Sequence, residues 1–119
     1  MPSALIHLLA GVPVTDLQAG IEWYTRFFGR SPDFAAGDEM LWEVADGGWL
    51  FIEAAPERTG TGRITIEVTG LDGLLEGLTA RGIDHEPVEA YPNGVRHAKI
   101  PDPDGNALAF AESPGGESA

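Results

Sequence analysis

Ile100-Pro101-Asp102-Pro103-Asp104-Gly105-Asn106-Ala107-Leu108-Ala109-Phe110-Ala111-Glu112 decides how this chain is read. Two prolines bar a helix, and Asp104-Gly105-Asn106 supplies turn chemistry with a glycine free to take a positive φ. Beyond the turn the residues alternate. Leu108 and Phe110 point one way, and Ala107, Ala109 and Ala111 point the other. The stretch predicts a turn feeding a final strand with one bulky face and one small face.

Working backward from it, Asn93-Gly94 is a hairpin turn into a strand over Val95 to Ile100, and Pro87 to Ala90 is a weak strand before the turn. Leu71, Leu74, Leu75 and Leu78 form the stripe of a helix that Gly82 ends. Ahead of that helix, Arg63 to Val68 reads as a strand with Ile64, Ile66 and Val68 on one face and Arg63, Thr65 and Glu67 on the other. The second half is therefore β-α-β-β-β. Pro56 to Gly62 has no periodicity and reads as a connector.

The first half follows the same plan. Ala4 to Val14 predicts a strand with Ile6, Leu8, Ala10 and Val12 on one face and His7, Leu9 and Gly11 on the other. Pro13 cannot donate to a ladder, so this strand is at an edge or leaves its sheet there. Thr15 or Asp16 caps a helix whose stripe is Leu17, Ile21, Tyr24 and Phe28, and Gly29 closes it. Strands follow over Pro32 to Ala36, Met40 to Ala45 and Trp49 to Ala54, the last two joined by Asp46-Gly47-Gly48. Along the last, Leu50 and Ile52 oppose Trp49, Phe51 and Glu53.

The halves can be registered. A shift of 54 (71 − 17) pairs Leu17 with Leu71 and Ile21 with Leu75, and a shift of 58 (104 − 46) pairs Asp46-Gly47 with Asp104-Gly105 and Leu50 with Leu108. A repeat of this length is the mark of a duplicated unit.

Composition narrows the function classes. The 119 residues suit one domain, and 43% hydrophobic content is that of a globular protein. No apolar run is long enough to span a membrane, and no basic region precedes the short apolar start, so a cytoplasmic location is expected. There is no cysteine to form disulfides or thiolate metal sites. Seven basic and nineteen acidic residues leave a net charge of −12. Such a field repels nucleic acid and anionic membrane and attracts cations.

The D-P-D-G-N run and the Trp23-Tyr24 pair in "IEWYTRFFG" resemble signatures of the vicinal-oxygen-chelate superfamily: glyoxalases, bleomycin-resistance proteins and extradiol dioxygenases. The resemblance implies an α+β fold of two tandem βαβββ modules, forming a curved eight-stranded mixed sheet (a cup) with the helices outside. Residues 1–119 would be one domain: module one 4–55, linker 56–61, module two 62–113 and tail 114–119. Metal enzymes of the superfamily hold a divalent ion with His, Gln or Glu on the first and last strands of each module. Carried over by motif spacing and by the repeat, those positions are Leu9, Phe51, Arg63 and Ala109. None of the four can bind a divalent cation, and no metal and no cofactor is expected. A shifted site would draw on His7 and Glu53, which share the faces of the lost ligands, with Glu67 as a third donor. His97 and Lys99 alternate on the seventh strand, while His85 reads as solvated loop.

The expected cup lining is Leu9, Trp42, Trp49, Phe51, Glu53, Arg63, Glu67 and Ala109, with Arg63 paired to Glu53, Glu67 or a ligand acid. Aromatic walls with a few charges suit a flat or extended organic molecule. "VPV" at Val12-Pro13-Val14 and "AGIEWYTRFFGRSPDF" are similar to bleomycin-resistance members, where a proline sits near the end of the first strand. The resulting expectation is a homodimer that binds a small organic ligand, cationic or aromatic, without a metal. The alternative is a metal-dependent lyase, isomerase or dioxygenase with a shifted metal site.

Overall fold

Pro13 lies on β1 (Leu8–Val14), an edge strand, where a missing N–H breaks no central ladder. β1 pairs in parallel with β4 (Gly48–Ala54), setting Leu9 beside Trp49 and Gly11 beside Phe51. Between them run α1 (Leu17–Phe28), β2 (Phe34–Ala36) and β3 (Glu39–Ala45), and the sheet order is β1-β4-β3-β2. The second half repeats this with β5 (Arg63–Val68), α2 (Leu71–Ala80), β6 (Glu89–Ala90), β7 (Arg96–Pro101) and β8 (Ala107–Glu112), ordered β5-β8-β7-β6. This computed structural model describes residues 4–116.

The fold is α+β, two βαβββ modules, with the eight strands divided into two four-stranded mixed sheets. The repeat read from the sequence is the register of the ladders. Arg63 stands beside Ala107 and Thr65 beside Ala109, as Leu9 stands beside Trp49 and Gly11 beside Phe51. The first strand starts at Leu8; Ala4 to His7 join no ladder.

Asp16 caps α1 by accepting from the Gln18 N–H at 3.0 Å, and Gly29 ends it in the left-handed region at φ 74°. The buried face of α1 is Gly20, Trp23, Tyr24 and Phe27, rotated from the expected stripe, with Leu17, Ile21 and Phe28 as half-buried flanks. The rotation has a cause: α1 packs on its own sheet and on module two together. Phe27 meets Phe110 of β8 with ring centroids 5.5 Å apart, while Tyr24 lies 6.0 Å from Trp42 of β3. The helix-facing side chains of both sheets thus share one core, which includes Val12, Leu50 and Ile52 from module one and Ala98, Ile100 and Leu108 from module two.

The opening stretch of sequence is the lock between the modules. Asn106, fully buried, uses both ends of its amide. Its Nδ2 donates to the Pro13 carbonyl and to Asp102 Oδ2, each at 2.8 Å. Its Oδ1 accepts from Gly60 N–H at 3.1 Å and Gly62 N–H at 2.9 Å. Asp102 in turn accepts the Tyr24 hydroxyl at 2.7 Å and the backbone N–H groups of Asp104 and Asn106, each at 2.9 Å. Asp104 takes the Thr15 hydroxyl at 2.8 Å. Burial and the facing carboxylate push the Tyr24 phenol far above its usual range. The D-P-D-G-N run therefore ties β1, α1 and the linker to module two. Among the described residues, no helix is long and apolar enough to cross a membrane.

Candidate ligand site

Each sheet has a second face, turned away from its helix. On module one it carries Leu9 and Gly11 from β1, Trp49, Phe51 and Glu53 from β4, and Leu41 and Glu43 from β3, as strand alternation and the ladder registers require. On module two it carries Arg63, Thr65 and Glu67 from β5, Ala107, Ala109 and Ala111 from β8, and His97 and Lys99 from β7.

Module one's face is apolar and shaped. Leu9 is half exposed, while Leu41 behind it is buried. His7, Leu9, Phe34, Leu41 and Trp49 enclose a hollow of about 190 Å³. The His7 imidazole meets the Trp49 ring edge-on at 6.4 Å. Phe51 lays its ring across β1: a Cβ added at Gly11 would stand 2.5 Å from Phe51 Cζ. Glycine is thus the residue that leaves room for the far end of the Phe51 ring there. A second groove, about 330 Å³, separates the Leu8–Trp49 end of this sheet from β5, with Trp49 on one wall and Thr65 and Glu67 on the other. Trp49 lines both spaces, and the groove brings two of the expected site residues, Trp49 and Glu67, together across the module boundary.

Module two's face is shallow and charged. Ala109 is nearly buried between Thr65 and Lys99, its neighbours across the two ladders. Arg63 and Lys99 are exposed. His97 lies 3.5 Å from Glu89 and stacks on Tyr91 at 5.9 Å. The Tyr91 hydroxyl is held by Glu89 at 3.3 Å, and that phenol is pushed up by desolvation and by the carboxylate beside it. His97 and Lys99 share the face of Ala109. His85 lies in a loop, with Nδ1 2.9 Å from the Glu86 carbonyl oxygen.

Three expectations are corrected. Trp42 is not in the cup: it is fully buried on the helix side, stacked on Phe28 at 5.4 Å, with its indole N–H on the Arg30 carbonyl at 3.0 Å. β3 alternates so that Leu41, not Trp42, shares the face of Phe51. Arg63 forms no ion pair with Glu53 or Glu67; among the described residues no carboxylate lies within 4.0 Å of it, and Glu67 takes the Ser113 hydroxyl at 2.6 Å instead. Nor can His7 and Glu53 share a metal. His7 precedes the Leu8–Gly48 rung and Glu53 sits on the Pro13 rung, six residues further along. At a strand rise of about 3.3 Å per residue they stand roughly 20 Å apart.

The donor set at the four positions that the resemblance assigns to a metal does not fit one. Two hydrocarbon side chains, a methyl group and a guanidinium offer no lone pair to a divalent ion. Among the described residues no three His, Asp or Glu side chains gather into a cluster able to hold one. What sequence reasoning missed were the residues defined by partners far along the chain: Phe34 and Leu41 closing the hollow, and Gly11 beneath Phe51.

Among solved structures, a glyoxalase/bleomycin resistance protein from Catenulispora acidiphila DSM 44928 is 38% identical, over 92% of this chain and 99% of that one, at a TM-score of 0.83. A bleomycin-binding protein solved in complex with bleomycin is 19% identical over 90% of this chain and 98% of that one, at 0.75. A lactoylglutathione lyase from Agrobacterium tumefaciens is 20% identical over 94% and 95%, at 0.71. The last two share the fold. No protein-family model matches the chain, and no curated protein does.

Proposed function

The chain belongs to the glyoxalase/bleomycin resistance protein family of the vicinal-oxygen-chelate superfamily, and we propose that within it this protein binds a cationic aromatic molecule without a metal. The observation that carries the reading is the identity of the four metal positions, Leu9, Phe51, Arg63 and Ala109, at matching places in two registered ladders. Module one offers a π face at Trp49 between two hollows, and Glu67 supplies a carboxylate on the facing wall of the groove. A ring stacked on indole with its positive charge toward a carboxylate is the ligand this pairing favours. The net charge of −12 draws such a ligand in.

The working unit in this reading is a homodimer. Leu5, Ile6, Leu8 and Phe34 are all more than half exposed around the module-one face. Apolar side chains gathered in this way call for cover, and a second copy supplies it. Sedimentation velocity at micromolar concentration should show a dimer; a monomer alone would remove this part of the reading.

Titration calorimetry with a bleomycin-type glycopeptide and with a planar aromatic cation tests the binding. Saturable heat is expected, and Trp49→Ala should weaken it by about 1–3 kcal/mol, the range for removing an aromatic anchor. Unchanged affinity in Trp49→Ala, or no binding of either compound, would count against the proposal.

A further inference from the structure

A second cavity adjoins the proposed ligand groove, with Val44 and Ile66 lining both. It is a cleft of about 160 Å³ between the C-terminal end of α1, β5 and α2, walled by Phe27, Val44, Ile66, Val68, Leu78 and Phe110. An apolar space near 150 Å³ accepts a body the size of benzene. Both modules contribute to these walls, and two of the chain's seven basic residues, Arg30 and Arg81, stand at them.

The two guanidiniums differ. Arg30 is already neutralised by Asp33 at 2.9 Å and leans over the Phe28 ring. Arg81 has no carboxylate within 4.0 Å among the described residues. It donates instead to the carbonyls of Arg26 and Phe27, at the end of α1. Those carbonyls, at the partly negative end of α1, take two of its five N–H groups and leave its charge without a carboxylate counter-ion. Two glycines frame it: a Cβ at Gly77 would stand 3.2 Å from Arg81 Nη1, and one at Gly29 would stand 3.4 Å from its Cζ. The head group is thus held in place beside an apolar cleft, with donors free, in a chain rich in acids.

From this juxtaposition we infer a second binding site, next to the one proposed above, for a small monoanion with an aromatic or branched apolar body. The ring or branched chain fills the cleft, and its carboxylate meets Arg81. This ligand is opposite in charge to the one the Trp49–Glu67 groove favours, so the two sites are separable by chemistry and by the residues they do not share, Leu78 and Arg81 here and Trp49 and Glu67 there.

Methyl-resolved NMR titration of the full chain with phenylacetate, benzyl alcohol and benzylamine tests it. Phenylacetate should shift the methyls of Val68 and Leu78, which line the cleft and not the groove, saturably and at least tenfold more tightly than benzylamine, with the alcohol between. Arg81→Met should cost about tenfold in phenylacetate affinity and leave benzyl alcohol unchanged. Should that variant fail to fold, the wild-type comparison still decides. Equal affinity for amine and carboxylate, no saturable shift at these methyls, or shifts confined to Leu8, Leu50 and Ile64 of the groove would each overturn the inference; the last would leave the groove reading standing.

Discussion

Rung for rung, the β1–β4 ladder matches the β5–β8 ladder, and on the helix side the side chains match too. Leu50 and Ile52 have their counterparts in Leu108 and Phe110, all four buried. On the other face they part. The rung that holds Gly11 and Phe51 in module one holds Thr65 and Ala109 in module two. A large ring over no side chain has become two modest side chains side by side. Trp49 likewise stands where module two has Ala107, and Leu9 where it has Arg63. One module keeps an aromatic wall; the other keeps a shallow floor with charges at its rim. The helix sides converge because they bury one shared core, where volume is constrained at both ends. The outer faces carry no such constraint, and their divergence is where a ligand preference can reside.

The largest expected effect probes what the two modules share. Asn106→Ala should lower stability by about 3–4 kcal/mol in denaturant unfolding, because it strips four side-chain hydrogen bonds and takes the partner from the Pro13 carbonyl and two glycine N–H groups, while Asp102 keeps Tyr24 and two backbone donors. A loss below about 1 kcal/mol would mean that the lock does not hold the modules together.

The next effect probes where they differ. Gly11→Ala should cost about 1–2 kcal/mol, since the new methyl displaces the Phe51 ring. In a Phe51→Ala background the same change should be close to neutral, and the double-mutant cycle reads the difference as coupling. Equal costs in both backgrounds would show that Phe51 does not rest on Gly11.

The smallest effect is again common to both halves. Asp33 in module one is held below the usual carboxylate range by its hydrogen bond to Arg30, and Asp72 in module two by its hydrogen bond to Arg96. Groups with lowered folded-state values add stability above the unfolded carboxylate value, and that stability is lost as pH falls through the folded values. Acid should therefore weaken the protein below about pH 4. Arg96→Met should flatten only the share of that slope belonging to Asp72. Both carboxylates are largely solvent-exposed, so each share is modest and shrinks in high salt. A slope unchanged in Arg96→Met would dismiss the pair as a contributor.

Much of this was legible beforehand because it depends on local chemistry. Turn residues such as Asp104-Gly105 and Asn93-Gly94, the Asp16 cap, the Gly29 stop and the alternation along β4 all act within a few residues. The internal repeat then placed Leu9, Phe51, Arg63 and Ala109 in the correct ladders. What failed turned on distant partners. Trp42 went to the wrong face because strand parity slips when a bulge intervenes, and the β3–β4 register shifts between Glu43 and Ala45. The α1 stripe was misjudged because a helix packed on one sheet shows one stripe, whereas α1 also meets Phe110 and Asp102, more than seventy residues later. His7 and Glu53 shared a face on paper, but sharing a face says nothing of distance along it.

Native mass spectrometry of protein prepared without chelator addresses the central claim most directly. The account predicts a dimer whose mass carries no stoichiometric divalent metal and that takes up an aromatic cation intact. A stoichiometric Ni, Zn, Mn or Fe ion retained by the folded protein would contradict it.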